Sequence, residues 1–351
     1  MTRSESVGKR FPELWECLVR ARRNGRLGHA FLIRSDLEET REEFALALAA
    51  LAACPAATAD TGPCGACHSC RQLENGTYPE LYHLFPVGRS YQIQVGDRIN
   101  PEPNTLRFFE EQFYLTSTSG AARKVGIIHD ADRMGDEAQN ALLKTLEEPP
   151  PETLIILTTG NPAALLPTTR SRCQQLQLLE NRVIFDFPGR DALFAALGEL
   201  FFLAGDRLID AEKAAGRIIA LAATLRNDAE SAVEAAWRER IARAAELDPA
   251  LAKRLEKQQD SAAAGAYMKS RSAFLAAIHS YVSQLYLLSE GATPETLPNP
   301  EILVRPPGAA IDARRARRAL AEADKLRFNL RFNVNEELAL RNFALQTALG
   351  D

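Results

Sequence analysis

The chain has 351 residues and a formal net charge of −4, with 46% of its residues hydrophobic and 25% charged. This length predicts two or three domains, and the slightly acidic balance argues against a protein that grips nucleic acid by itself, because phosphate-driven binding needs a basic surface. No run approaches the ~20 apolar residues of a membrane span, and residues 1–10 lack the apolar core of a signal peptide, so we expect a cytoplasmic protein.

The first predicted elements are a helix over residues 11–24 and a buried strand over His29–Ile33. Many nucleotide-binding proteins carry the pattern GxxxxGKS/T after such a strand, because glycines let backbone amides surround a phosphate that the lysine neutralises. Here residues 34–41 read RSDLEETR, which contains neither glycine nor lysine. Three acidic residues occupy this segment: Asp36, Glu38 and Glu39. The pattern therefore predicts a phosphate loop that no longer binds nucleotide.

Four cysteines follow the next predicted helix, residues 42–53, with the spacing C-x9-C-x2-C-x2-C: Cys54, Cys64, Cys67 and Cys70. Thiolates this close predict a tetrahedral zinc site, which would be structural because no coordination position stays open. An iron–sulfur cluster is the alternative, although the x3-C-P continuation found in bacterial ferredoxins is missing. His68 is interpreted as a solvated loop residue, and Cys17 and Cys173 stand alone.

Residues 75–122 contain scattered strand-like segments, among them Tyr91–Val95, and a group of aromatic side chains. The aromatic group consists of Phe108, Phe109, Phe113 and Tyr114. Their spacing is typical of the core face of a helix, and basic residues do not interleave with them as in base-stacking RNA-binding motifs. We therefore interpret these aromatic residues as core packing.

The centre of the fold is predicted by two apolar runs with a helical segment between them. Lys124–Ile128 and Thr153–Thr159 have the composition of strands buried on both faces. Asp136–Glu148 spaces its apolar residues like an amphipathic helix, with Asp136 as the candidate N-cap and three prolines ending it. A strand, a helix and a strand in this order predict a parallel sheet, after which comes the tripeptide Ser171–Cys173.

The segment NALLKTLEEPP at residues 140–150, followed by a strand and then Ser-Arg-Cys, resembles the AAA+ module of bacterial clamp-loader subunits. Within that family, a lost phosphate loop combined with a retained Ser-Arg-Cys is similar to the delta-prime-type subunits of DNA polymerase III. The resemblance implies a strand at residues 81–85 and a helix at 104–115. It covers residues 29–180 tightly and the C-terminal half more weakly.

The resemblance also implies the domain organisation. We expect an α/β fold: an AAA+ (RecA-like) parallel-sheet domain at residues 1–180 with a zinc-binding loop at 54–70. A helical lid domain at 181–240 and an all-α collar domain at 241–351 would follow, and the collar would hold the subunit in a ring.

The second half of the ATP machinery is altered as well. Active relatives place Asp and then Glu at the end of the strand before NALLK, for magnesium and for water activation, whereas this chain has His129 and Asp130 there. Histidine is a poor ligand for magnesium, which prefers oxygen donors. The resemblance therefore implies a subunit without intrinsic ATPase activity and without bound ATP.

The function implied by the resemblance is that of a non-hydrolytic clamp-loader subunit, which helps to load the sliding clamp onto primed DNA. Its partners would be the gamma/tau-type ATPase and delta subunits of a hetero-oligomeric ring in the replisome, with weak or indirect DNA contact. Arg172 of Ser-Arg-Cys would act in trans as an arginine finger on a neighbouring ATPase subunit. The alternative for Arg172 is an ion pair with a local carboxylate.

The C-terminal half is predicted to be helical, with segments at 191–203, 213–237 and 273–288 and further helices from about 312 and 335. Asp248 and the polar run Lys253–Ser261 suggest a flexible boundary. Arg226 is interpreted as a surface charge rather than a nucleotide sensor. The basic cluster Arg314, Arg315, Arg317 and Arg318 is interpreted as a solvated helix face.

Two other functions compete with this interpretation. An ATP-hydrolysing clamp-loader motor subunit is disfavoured by the missing glycines and lysine at residues 34–41. A zinc-organised adaptor unrelated to replication fits the cysteine cluster but leaves Ser-Arg-Cys after TLEEPPP without a purpose. Nucleotide binding would identify the motor, and co-purification with replication ATPases would exclude the adaptor.

Overall fold

The computed structural model describes residues 2–57, 62–88, 90–116, 123–179, 185–202, 207–305, 309–330 and 334–349. The chain forms two compact units, Met1–Glu180 and Asn181–Asp351, which we call unit 1 and unit 2. Within the described ranges, no helix combines the length and the apolar character needed to cross a membrane.

Unit 1 alternates strands and helices. Its elements are α1 Arg3–Arg10, α2 Pro12–Arg23, β1 Ala30–Arg34, α3 Glu38–Ala53, α4 His68–Glu74, β2 Leu81–Leu84, α5 Leu106–Tyr114, β3 Lys124–Ile128, α6 Asp136–Glu147, β4 Thr153–Thr159, α7 Pro167–Ser171 and β5 Gln174–Gln177. The strands form one sheet in the order β2-β3-β4-β1-β5, and each neighbouring pair is parallel. The predicted α/β fold class with a parallel sheet is confirmed.

The middle of the sheet is buried on both faces. Every residue of β3 and β4 is buried, as their unbroken apolar runs predicted. Ile127 lies opposite Ile156 in the β3–β4 pair, and Leu32 lies opposite Leu157 in the β1–β4 pair. Because these strands are parallel, the segments that follow β1, β3 and β4 meet at one edge of the sheet.

Helices cover both faces of the sheet. The first three helices pack on one face, where Trp15 of α2 meets Phe44 of α3 edge to face at a centroid distance of 6.0 Å. Helices α5 and α6 pack on the other face, where Phe109 and Phe113 are buried and lie 5.1 Å apart. The core-packing interpretation is confirmed for Phe109 and Phe113, but it is wrong for Tyr114, which is 63% exposed.

Two local predictions differ from the structure, and one helix was not predicted. The N-cap of α6 is Gly135 and not Asp136, which is the first helical residue, where a carboxylate interacts favourably with the helix dipole. Tyr91–Val95 forms isolated bridges instead of a strand, among them one between Ile93 and Met134. Helix α1 was not predicted, because Val7 is its one large apolar residue; a capping box at Thr2 supports its start.

Unit 2 is helical in its described part. Its elements are α8 Arg190–Phe201, α9 Arg207–Leu247, α10 Pro249–Ser289, α11 Ala313–Asn329 and α12 Glu336–Leu349, with short 3-10 turns at Pro294–Thr296 and Pro300–Ile302. Residue 203, the predicted end of the first of these helices, lies outside the described residues.

The predicted flexible boundary at residues 248–261 is wrong. Helices α9 and α10 have 41 residues each, and Asp248 alone separates them. Pro249 begins α10, where a missing N–H and a fixed φ cost nothing, and the lysine, glutamine and alanine residues that follow are good helix formers. The lid–collar boundary that we placed at residue 240 falls inside α9, and the division of unit 2 into two domains stays a prediction.

The basic cluster of α11 does not form a uniformly solvated face. Arg314 and Arg317 are exposed. Arg315 points inward, where its Nε donates to the Thr347 carbonyl at 3.1 Å and its Nη2 donates to the Leu200 carbonyl at 2.7 Å. The interpretation as a solvated face is therefore wrong for Arg315, which joins α11 to α12 and α8.

Arg226 also has a local role in unit 2. Its Nη2 donates to a carboxylate oxygen of Glu336 at 2.5 Å, and its guanidinium lies 4.6 Å from the ring centroid of Tyr267. The Tyr267 hydroxyl donates to the same carboxylate. These contacts connect α9, α10 and α12, so Arg226 is a partly exposed charge engaged in structural pairing.

We predict that Gly126→Ala destabilises unit 1. A Cβ atom at this position of β3 would lie 2.3 Å from Phe113 Cζ and 2.5 Å from Phe109 Cζ. Overpacking of this kind costs roughly 1–3 kcal/mol, which thermal denaturation followed by circular dichroism measures. Gly216→Ala in α9 is the control, because no described atom lies within 4 Å of its added Cβ. An unchanged melting temperature for Gly126→Ala would contradict this packing.

Candidate functional site

The four predicted cysteines form one cluster between α3 and α4. Their Sγ atoms all lie within 4.8 Å of one another: Cys54, Cys64, Cys67 and Cys70. Cys54 Sγ lies 3.7 Å from Cys64 Sγ and 3.9 Å from Cys67 Sγ. A tetrahedron with zinc–sulfur bonds of about 2.3 Å has sulfur–sulfur edges of about 3.8 Å, so these thiols fit a metal ion such as zinc.

The ends of the two helices position the thiols. Cys54 is the C-cap of α3, and Cys67 is the N-cap of α4, so Cys70 follows in the first turn. Gly65 has φ +67°, a left-handed conformation that glycine adopts without steric cost, and it allows the tight turn between Cys64 and Cys67. His68 is exposed and lies outside the cluster, which agrees with its interpretation as a solvated residue.

Backbone amides prepare the cluster for thiolates. The N–H groups of Cys64, Cys67 and Cys70 donate to the sulfur of the preceding cysteine in the cluster, at 3.5, 3.3 and 3.4 Å. Hydrogen bonds from the amides of Ala66 and Cys67 lower the pKa of the Cys64 thiol to about 6. Burial raises the pKa of Cys54, so a positive ion is what would hold that sulfur as a thiolate.

Arg41 lies at the edge of the sheet where a phosphate loop would follow β1. This residue lies in α3, and its side chain is 5% exposed. Its Nη1 donates to the Ser35 carbonyl at 2.7 Å, and its Nη2 donates to Asp130 Oδ1 at 2.8 Å. The other oxygen of Asp130 accepts a hydrogen bond of 3.0 Å from the Tyr91 hydroxyl. A buried arginine and its partners therefore occupy the edge where β1 and β3 end.

The role of Arg41 was missed at the sequence level, although a signal existed. If the first glycine of GxxxxGKS/T is aligned with Ser35, the lysine of the pattern falls on position 41. Arg41 thus places a positive charge at the position of the lysine, but Asp130 balances this charge inside the protein. Tyr91 carried no comparable signal, because it reaches this place through an irregular segment.

His129 and Asp130 are both engaged in local contacts. Nε2 of His129 lies 2.9 Å from Nδ1 of His83, so one imidazole donates to the other, and the Phe85 ring stacks on His129 at a centroid distance of 4.1 Å. Burial, and then the neighbouring His83, lower the pKa of His129 to about 3. The imidazole is therefore neutral at physiological pH.

Arg172 lies at the end of α7, as its C-cap. Its Nε donates to Glu147 Oε1 at 2.5 Å, its Nη1 donates to the Thr168 carbonyl at 3.0 Å, and its Nη2 also contacts Glu147. The side chains of Arg172 and Glu147 are 33% and 47% exposed. The pairing with a local carboxylate, which the sequence left as the alternative, is therefore present in the isolated chain.

The neighbouring residues anchor Arg172 at the surface of unit 1. Cys173 is buried in the core on the α5–α6 face of the sheet. The buried side chain of Gln139 in α6 accepts a hydrogen bond of 2.7 Å from the Leu166 amide and donates to the Ala164 carbonyl at 3.3 Å. Helix α6 thereby fixes the segment that leads into α7, so Arg172 has a defined backbone position.

Comparison with known proteins relates this chain to replication subunits. The sequence model of a family described as "DNA polymerase III, delta subunit" matches residues 11–182. A Bacillus subtilis protein named DNA polymerase III subunit delta' is 31% identical over 180 residues, which are 50% of each chain. An Escherichia coli protein of the same name is 38% identical over 102 residues, which are 29% of this chain and 28% of that protein. The chain thus spans about half the length of the first relative and less of the second.

Two solved structures resemble the chain weakly. A DNA polymerase III gamma subunit-related protein from Thermotoga maritima has a TM-score of 0.36 and 17% identity, covering 94% of this chain and 98% of its own. The Bacillus subtilis DNA clamp loader delta protein has a TM-score of 0.31 and 9% identity, covering 96% and 98%. Scores this low carry no conclusion about this chain.

We predict that the purified protein holds ~1 zinc ion per chain and that the double variant Cys67→Ser, Cys70→Ser loses it, because two of four ligands are removed. Elemental analysis measures the metal, and limited proteolysis between α3 and α4 should be faster in the variant. Cys17→Ser, which changes an exposed cysteine outside the cluster, is the control. Near-full zinc retention in the double variant would exclude these ligands, and visible absorbance after anaerobic preparation would indicate an iron–sulfur cluster instead.

Proposed function

We propose that this chain is a non-hydrolysing subunit of a clamp loader, because over residues 11–182 it is similar to subunits of DNA polymerase III, among them proteins named delta'. The assembly would load the sliding clamp onto primed DNA. One observation carries the proposal: the chain fills its own nucleotide position with Arg41, yet it presents Arg172 at the surface. A subunit with these two features would not bind ATP itself but would contribute Arg172 to the hydrolysis of ATP bound by another subunit.

The absence of nucleotide binding is supported by the contacts of Arg41. A phosphate would have to displace the Ser35 carbonyl and Asp130 from a guanidinium that is buried with them. Removing an arginine from a buried pair leaves an uncompensated carboxylate, which is strongly destabilising. The acidic residues just before Arg41 would also repel a polyphosphate: Asp36 ahead of α3, and Glu38 and Glu39 in its first turn.

The catalytic residues for hydrolysis are likewise engaged elsewhere. Asp130, the residue that could orient water, is held by Arg41 and Tyr91. His129 offers a nitrogen that already contacts His83, and magnesium prefers oxygen ligands. The protein would therefore contribute to ATP hydrolysis only within a complex.

The proposed role of Arg172 is electrostatic. A guanidinium beside the γ-phosphate of a neighbouring subunit stabilises the charge that develops during phosphoryl transfer, and such a residue is worth a factor on the order of a thousand or more in rate. The partial exposure of Arg172 and the fixed backbone around it support this role. The zinc ion would be structural and would brace the junction of α3 and α4.

The partners follow from the same proposal. The chain would assemble with gamma/tau-type ATPase subunits and a delta subunit into a ring, and it would work in the cytoplasm at the replisome. The net charge of −4 favours contact with DNA that is weak or made through these partners. The zinc-organised adaptor remains the competing function, and pull-down from cells distinguishes the two, because the adaptor would not retain replication ATPases.

We predict that the isolated protein shows no saturable binding of labelled ATP or ADP at millimolar nucleotide in an equilibrium titration. Arg41→Ala should not restore binding, because residues 34–40 keep their acidic side chains and gain no glycine. The variant should instead be less stable by about 3 kcal/mol in urea denaturation, because Asp130 loses its buried partner. A dissociation constant in the micromolar range for the unmodified protein would favour the motor ATPase.

We predict that Arg172→Ala leaves folding, zinc content and ring assembly intact while it lowers the DNA- and clamp-stimulated ATPase of the whole complex by a factor on the order of a thousand or more. Arg172→Lys should rescue little, because a point charge does not reproduce the planar fork of a guanidinium. Steady-state ATPase and clamp-loading assays of the reconstituted complex measure the effect. Hydrolysis and loading at the unmodified rate would refute the trans role of Arg172.

A further inference from the structure

The contact between Glu147 and Arg172 points to a control on the proposed arginine finger. We propose that Glu147 restrains Arg172 in the resting protein by occupying the guanidinium donors that a γ-phosphate would use, and that it releases them when the neighbouring nucleotide is correctly placed. This inference rests on the proposed function of Arg172. It assigns a restraining role to the carboxylate at the end of α6.

The geometry of the contact supplies the restraint. A guanidinium presents its N–H donors in a rigid fork that matches carboxylates and phosphates alike. Glu147 takes the Nε and Nη2 side of this fork, and the Thr168 carbonyl takes Nη1 at 3.0 Å. A phosphate therefore cannot engage the Nε and Nη2 side while the carboxylate remains there.

The strength of the pair suits an exchangeable contact. The side chains of Arg172 and Glu147 are 33% and 47% exposed, so water and salt partly screen the attraction. Pairs of this kind shift an equilibrium by about fivefold or less, whereas a γ-phosphate carries more charge than one carboxylate. The incoming phosphate can thus replace Glu147. When no phosphate is present, Glu147 holds Arg172.

The position of Glu147 favours this role over a purely structural one. It is the last residue of α6, where the negative end of the helix dipole disfavours a carboxylate. Gln139 holds α6 against the segment before α7 through the Leu166 amide, so the backbone around Arg172 does not depend on Glu147. Loss of the carboxylate should free the guanidinium without moving the helices.

The test uses Glu147→Gln in the reconstituted complex, with Glu148→Gln as the matched control. Glu148 is the adjacent exposed glutamate, and among the described residues no ion pair joins it to Arg172. We expect Glu147→Gln to raise the basal ATPase, measured without DNA and clamp, up to about fivefold, with little change in the stimulated rate. Glu148→Gln should leave both rates unchanged. The double variant Glu147→Gln, Arg172→Ala should show no increase, because the released group is absent.

A second measurement uses the free full-length chain. Modification of Arg172 by phenylglyoxal, followed by mass spectrometry, should be several-fold faster in Glu147→Gln and unchanged in Glu148→Gln. Zinc content and melting temperature serve as checks on folding.

The outcomes separate this inference from the function on which it rests. If Arg172→Ala leaves the ATPase of the complex unchanged, both are wrong. Suppose that Arg172→Ala lowers the ATPase rate, while Glu147→Gln leaves the basal rate unchanged or lowers the stimulated rate. The role of Arg172 as an arginine finger is then supported, and the restraint by Glu147 is wrong. Wild-type labelling of Arg172 in Glu147→Gln would likewise overturn the restraint.

Discussion

The buried ion pair between Arg41 and Asp130 joins elements that lie far apart in sequence. Arg41 belongs to the helix that follows β1, and Asp130 follows β3, with β4 between the two strands in the sheet. The pair holds because Ser35 and Tyr91 satisfy further donors and acceptors on both partners. In a low-dielectric site these hydrogen bonds strengthen one another, although Arg41 Nε has no hydrogen-bond partner within the described residues.

This ion pair changes what unit 1 can do. A phosphate loop is a place where the backbone stays open to an anion, whereas here the same edge of the sheet is occupied by protein groups. The chemistry that we propose lies away from this edge, at the surface that carries Glu147 and Arg172. The two features are compatible because the parallel sheet positions the loops at its edge, while α6, which carries Glu147, packs on one face of the sheet.

The cysteine cluster braces another part of the same unit. It lies between the end of α3 and the start of α4, which a bound metal would fasten together, and α3 also carries Arg41. The amide hydrogen bonds to sulfur show that the backbone is already arranged for thiolates. A metal at this place would therefore stabilise the junction between the two helices, as structural zinc sites do.

The sequence alone determined the features that depend on local pattern. Unbroken apolar runs placed β3 and β4 at their observed bounds, and the cysteine spacing identified all members of the cluster, because strand burial and ligand spacing are written in neighbouring residues. The same local reasoning failed at residues 248–261, where polar composition suggested a boundary but good helix formers continue α10.

Only the tertiary structure decided which charges meet. Arg41 and Asp130 are 89 residues apart, and Arg172 and Glu147 are 25 apart, so no periodicity connects them. Arg315 looked like its exposed neighbours in α11 until α8 and α12 supplied carbonyl acceptors for it. The role of a charged side chain depends on the partners that folding brings within hydrogen-bond distance. The order of residues along the chain does not show which residues these will be.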